Sequence, residues 1–153
     1  MKGCDKWTEV LIRGNTEYSL NYYGNAILLF QQALDLARFK FNLTAKLSYD
    51  RAISQVVICH FSLADCYIAI DQIERAADFY ILAQKFLLQI PENSTIEVNI
   101  VNNATQHAVH HVNDMWLEFI RKYRENISYD HLKQFYKQNT LLHSQKEKLC
   151  IYH

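Results

Sequence analysis

Proline and glycine are almost missing from this chain, with one proline and three glycines in 153 residues. Strand-rich domains need frequent punctuation by these two residues, so their scarcity argues against a sandwich or barrel and for long helices with short connections. The four cysteines, Cys4, Cys59, Cys66 and Cys150, form no CxxC pair, which removes the usual zinc and thiol-redox frameworks. Cys59 and Cys66 share a helix face but lie two turns apart, too far for a bridge, and are expected as free thiols in a reducing compartment. The opening Met1-Lys2-Gly3-Cys4-Asp5-Lys6-Trp7 lacks the apolar segment of a secretory signal. The apolar runs elsewhere are too short to span a bilayer, so a cytoplasmic protein without membrane contact is expected. Net charge is also lacking, but unevenly: residues 1–120 hold nine Lys/Arg and thirteen Asp/Glu, and residues 121–153 hold seven and three.

What the chain does have is apolar material. Half of its residues are hydrophobic, with ten Tyr and eight Phe, enough for one domain with a real core. These residues are patterned. His60-Phe61-Ser62-Leu63-Ala64-Asp65-Cys66-Tyr67 is followed by Ala76, Tyr80 and Ala83, and an earlier stretch carries Gly14, Tyr18, Tyr23, Ala26, Phe30 and Ala33 in the same order. Small residues let two helices approach closely while aromatics fill the gap between them. Both stretches resemble the tetratricopeptide repeat, a helix-turn-helix unit of about 34 residues. The resemblance covers about residues 7 to 90 and implies an all-α, right-handed stack of antiparallel helix pairs that binds peptides in a concave groove.

Periodicity predicts six helices, over 5–21, 25–41, 50–70, 73–90, 95–125 and 129–148. Asn21-Tyr22-Tyr23-Gly24-Asn25 and Asp71-Gln72 read as the turns inside the two pairs. Repeat one is expected over 5–41, repeat two over 50–90, and a degenerate or capping pair over 95–148. Ala26 and Ala76 play one role yet stand 50 residues apart, well beyond the repeat length, and the extra residues between 38 and 54 are read as two lengthened helices. Pro91 should end the fourth helix, with Asn93-Ser94-Thr95 capping the fifth. The fifth helix should bury a stripe of Ile96, Ile100, Ala104, Ala108, Met115 and Phe119, widened by Trp116, Ile120 and Tyr123. The sixth should bury Leu132, Phe135, Tyr136 and Leu142, with Ser128 or Asp130 as cap.

In the repeat family the first helix of each pair lines the groove. That resemblance implies partner contacts at Leu11, Asn15 and Tyr18 from repeat one and at Phe61, Asp65 and Ile68 from repeat two, with Thr8, Ser19, Ile58 and Ala69 beside them. The surface is largely apolar and needs a cover, either a partner segment or the chain's own last helices. The carboxylate clamp that such proteins use on chaperone tails is broken here: Asn15 remains, but Leu11 and Ser62 stand where a lysine and a second asparagine would be.

Chemistry-bearing clusters are sparse. His107, His110, His111 and Asp114 have metal-compatible helical spacing without the catalytic glutamate of zinc proteases, and read as half-polar positions and not as a metal site. His60 reads as a packed core histidine. No nucleophile–base pair or phosphate loop is present, so no enzyme activity, metal or cofactor is expected. The expected function is an adaptor or assembly module for a protein or peptide partner. The alternatives are a homodimer whose groove is filled by its own C-terminal helices, and a helical protein touching nucleic acid through its basic end.

Overall fold

The structure, a computed structural model, describes residues 5–90 and 98–151, with side chains through Ile90 and from Ile100 to Ser144. The described residues form seven α-helices and no strand: α1 (Lys6–Ser19), α2 (Tyr23–Phe39), α3 (Phe41–Leu47), α4 (Tyr49–Ala69), α5 (Ile73–Gln89), α6 (Val98–Tyr123) and α7 (Tyr129–Ile151). A single 3-10 turn, Arg124–Asn126, joins the last two.

Local chemistry sets the ends. Asp5 caps α1 by accepting from the Thr8 N–H at 2.8 Å, and Ser48 caps α4 by accepting from Arg51 N–H. Ser128 Oγ accepts from His131 N–H at the start of α7, which settles the cap between the two residues expected. The α1–α2 turn reverses through Asn21, at φ 65°, and the α4–α5 turn through Asp71, at φ 61°. Asn and Asp are among the few non-glycine residues that tolerate this left-handed region. Gly24, expected in the first turn, is helical instead.

The two turns are the same object. Asn21 N–H bonds Tyr18 O and Tyr22 N–H bonds Glu17 O, while Asp71 N–H bonds Ile68 O and Gln72 N–H bonds Tyr67 O, at 2.8–3.0 Å throughout. Every partner is displaced by 50 positions, like Ala26 and Ala76.

Small residues stand at the helix crossings. Ala26, Ala33, Ala76 and Ala83 have no exposed surface. A Cβ added to Gly14 would lie 2.6 Å from the Phe30 ring, so only glycine admits that ring against α1. α4 lies at the centre. Its Val56, Cys59, Leu63 and Cys66 pack toward α2, while Ile53, Val57, Phe61 and Ala64 pack toward α5 and α6. Burial on both sides explains why α4 alone among the described helices is long and apolar enough to cross a bilayer, with a mean hydropathy of 1.4.

The extra residues between the pairs correct the expectation of two lengthened helices. α2 stops at Phe39, and a separate helix, α3, packs on α4 through Ala45 and Phe41, whose ring meets Tyr49 and Phe86 edge-on at 5.7 Å. The break between α3 and α4 has a cause: β-conformation at Ser48 lets its side chain cap α4. Pro91, Asn93-Ser94-Thr95 and Ile96 lie outside the described residues. The α6 stripe keeps Ala104, Trp116 and Phe119 as expected, with Ala108, Met115, Ile120 and Tyr123 partly buried, and adds three valines. Val101, Val109, Val112, Trp116 and Phe119 are buried and Ile100 is exposed. In α7, Phe135 and Leu142 are buried, but Tyr136 points outward.

α7 packs mainly on α5 and meets α6 chiefly through Phe135, stacked on Trp116 at 4.3 Å. A polar ladder fixes that choice. Gln84, fully buried, donates to Phe135 O at 3.1 Å and accepts from Gln138 Nε2 at 2.8 Å, and Gln138 donates also to Ile81 O. At the end of the ladder His131 Nε2 meets Asp78 Oδ1 at 2.7 Å.

Candidate interaction groove

The residues expected to line a groove project from α1 and α4 at the spacing that shares one helix face. Leu11, Asn15 and Tyr18 span two turns of α1, and Phe61, Asp65 and Ile68 span two turns of α4. The structure brings Tyr18 and Asp65 together: the Asp65 carboxylate lies close enough to raise the pKa of the Tyr18 phenol, behind burial as the larger cause. Tyr18 also meets Tyr23 edge-on at 5.3 Å. Leu11 and Ile68 are half-buried, each packed against one of the two core clusters. Asn15 is exposed.

Phe61 is placed differently. It is only 8% exposed, held between Tyr80 at 5.7 Å and His111 of α6, which meets it edge-on at 5.2 Å. Its side chain is a core group under α6. α6 therefore forms the third wall, a role its weak repeat signature hid. His111, Met115, Glu118 and Lys122 recur at three- and four-residue steps on one side of α6; that periodicity is the signal from which the wall could have been read.

Asp65 is the electrostatic focus. Its surface is open to solvent, yet burial pushes its pKa up, with Lys122 pulling weakly the other way. The carboxylate is thus accessible on one side and crowded on the other by protein atoms that replace part of its hydration. It takes part in no hydrogen bond or ion pair among the described residues, whereas nearby Glu118 is paired with Arg121 and Lys122. Tyr80 beneath it also has its pKa raised, first by burial and then by Asp65.

The other reactive side chains are shut away. Burial pushes the Cys59 thiol up to about 11 and the Cys66 thiol to about 12, so neither is a ready thiolate. Cys59 Sγ accepts from Trp7 Nε1–H at 3.4 Å. His60 is buried with Nδ1 on Val56 O at 2.9 Å, and desolvation lowers its pKa to about 4. His107 and His111 line a cleft of about 160 Å³ between α4 and α6, with His107 Nδ1 3.8 Å from Asp50 Oδ1. His110 is exposed on the other side of the helix. Among the described residues no group of three or more His, Cys, Asp or Glu is placed to share an ion.

No curated protein and no solved structure matches this chain. A family model does match, over residues 5–151, which takes in the whole described bundle. The chain belongs to the family described as protein of unknown function (DUF2753).

Proposed function

We infer that this protein is an interaction module of the tetratricopeptide-repeat kind, which receives a partner segment in the groove walled by α1, α4 and α6. The carrying observation is Asp65, an exposed yet partly desolvated carboxylate with no hydrogen-bond or ion-pair partner among the described residues. Keeping such a group ionised costs folding stability, and unpaired, perturbed carboxylates in clefts concentrate at functional sites. The identical turns 50 residues apart support the repeat reading. The occupant is a segment with apolar side chains for Leu11, Tyr18 and Ile68 and a cationic or N–H donor for Asp65. In this reading the chain carries no catalytic centre, metal or cofactor and works in the reducing cytoplasm.

The two alternatives gain less support. α6 of the same chain already covers Phe61, so self-cover is partial and intramolecular, and the Leu11–Asn15–Tyr18–Asp65 face stays open. A nucleic-acid surface at the basic end has Arg121 and Lys122 already tied to Glu118.

A photo-crosslinking residue placed at Asn15 tests the proposal in cells. A discrete adduct at Asn15, absent at Leu28 on α2 and lost on adding Asp65→Arg, is the expected result. Equal adducts at both positions, or insensitivity to Asp65→Arg, would place the working surface elsewhere.

A further inference from the structure

α3, the helix that neither repeat accounts for, is apolar on two sides. Its inner side belongs to the core: Ala45 is buried there, and the Phe41 ring is held edge-on by Tyr49 and Phe86. Its outer side carries Leu43, 65% exposed, and Leu47, 90% exposed, and Phe39 at the adjoining end of α2 is 87% exposed. Phe39 and Leu47 are the two most exposed large hydrophobics among the described residues. The three recur at four-residue steps and span about 12 Å. A helix that is apolar all round belongs where all of it is covered, and α3 has protein on one side alone.

Cations flank this ridge. Arg38, Lys40 and Lys46 are exposed, and residues 36–49 hold no Asp or Glu. The stretch is thus locally basic inside residues 1–120, where thirteen Asp/Glu stand against nine Lys/Arg. Among the described residues none of the three cations is in an ion pair, whereas neighbouring Arg51 is tied to Asp5. Phe and Leu side chains set among basic ones are the pattern of a helix that lies in the headgroup region of a bilayer.

We propose that the ridge Phe39–Leu43–Leu47 docks this protein on an anionic lipid surface, with Arg38, Lys40 and Lys46 at the level of the phosphates. Shape favours lipid over a protein partner. Side chains about nine-tenths exposed stand out from the fold. A protein would need a matching hollow for each, whereas acyl chains close around any protruding apolar group. The anchoring of Phe41 keeps α3 from rolling its leucines inward, so the ridge is presented already ordered. Taking a Phe or Leu side chain out of water is worth roughly ten- to hundredfold in an equilibrium constant. Each cation beside an anionic surface adds about fivefold. Three of each give reversible binding at the surface with no spanning helix, and screening by salt should weaken it. This contact goes beyond the groove reading and does not rest on it.

Co-sedimentation of the full chain with vesicles tests the proposal, comparing phosphatidylcholine mixed with phosphatidylglycerol against phosphatidylcholine alone. The expected result is strong preference for the mixed vesicles, reduced by added salt. Phe39→Ser with Leu47→Ser should weaken binding by more than about tenfold, and Lys40→Glu with Lys46→Glu should do the same. Leu28→Ser, at an exposed position of α2 away from the ridge, should leave it unchanged. Melting temperatures should hold throughout, because every altered side chain is exposed. Absence of binding to either vesicle overturns the proposal, as does binding that ignores both double substitutions or is equal on the neutral lipid. A crosslink in cells from a photoreactive residue at Leu47 to another protein, without vesicle binding, overturns it too and gives the ridge to a protein partner. None of these readouts involves Asp65, so the groove and the lipid contact stand or fall separately.

Discussion

Acid should unfold this protein through one histidine. Nδ1–H of His60 is taken by Val56 O at 2.9 Å, so a second proton must go to Nε2, inside the core and close to Phe79 at 6.5 Å between ring centroids. Arg38 adds a repulsive charge, and desolvation, the largest cause, brings the pKa down to about 4 from the ordinary 6.5. The unfolded chain therefore binds a proton in the range where the native one does not. Stability from this group is complete above about pH 6.5 and is lost as pH falls toward about 4. At about 1.4 kcal/mol for each pH unit, the full loss is roughly 3 kcal/mol. That is a large part of the 5–15 kcal/mol typical of a domain. Urea denaturation at a series of pH values, on the native chain and on His60→Gln, isolates the effect, since every other titrating group cancels in the difference. The gap between the two stabilities should narrow by about 3 kcal/mol from pH 7.5 to pH 4. Parallel curves would show that His60 is protonated without penalty and that its surroundings are wetter than the packing described above.

Four substitutions test other links. Gly14→Ala gains up to about 1 kcal/mol of helix propensity, but a methyl 2.6 Å from the buried Phe30 ring should reverse the sign and leave a net loss of about 1–2 kcal/mol in chemical denaturation. Gln84→Leu removes both hydrogen bonds that tie Gln84 to α7, the one to Phe135 O and the one from Gln138, and should lower stability by about 1–3 kcal/mol while loosening α7 first in hydrogen exchange. Asp65→Asn should raise the melting temperature at neutral pH: the Asp65 pKa is raised on folding, so the native state disfavours the ionised form and loses stability as pH rises through its titration. Phe61→Asp, in contrast, buries a carboxylate between Tyr80 and His111 and should unfold the chain outright, visible as lost helicity in circular dichroism.

The helix pairs were legible because their signals are local. Gly14, Ala26, Ala33, Ala76 and Ala83 mark close crossings whatever surrounds them, and Asn21 and Asp71 are turn residues by their own chemistry. What escaped was decided between helices. The break at Lys40, which parts α3 from α2, falls at a residue that is no helix breaker by itself. Which residue the first turn of α6 buries depends on the neighbours it meets, and Ile100 and Val101 are equally apolar. Of the positions that the repeat resemblance placed on one face, Leu11, Asn15, Tyr18, Asp65 and Ile68 are exposed or half-buried on α1 and α4, whereas Phe61 is core. Covering Phe61 is a tertiary act of His111, fifty positions on. Tyr136 fits a buried stripe by composition and is turned outward by the glutamine ladder.

The two tryptophans stand at opposite ends of the bundle, and their surroundings differ in a way light can read. Trp7 hands its indole N–H to the thiol of Cys59, and a sulfur in contact with an excited indole drains its emission. Trp116 is wedged against Phe135 and Tyr80 in a dry site, where emission is blue-shifted. Unfastening α1 would brighten the first, and parting α7 from α6 would redden the second. The protein thus carries a two-channel optical record of its own opening, one channel for each end, with no label added.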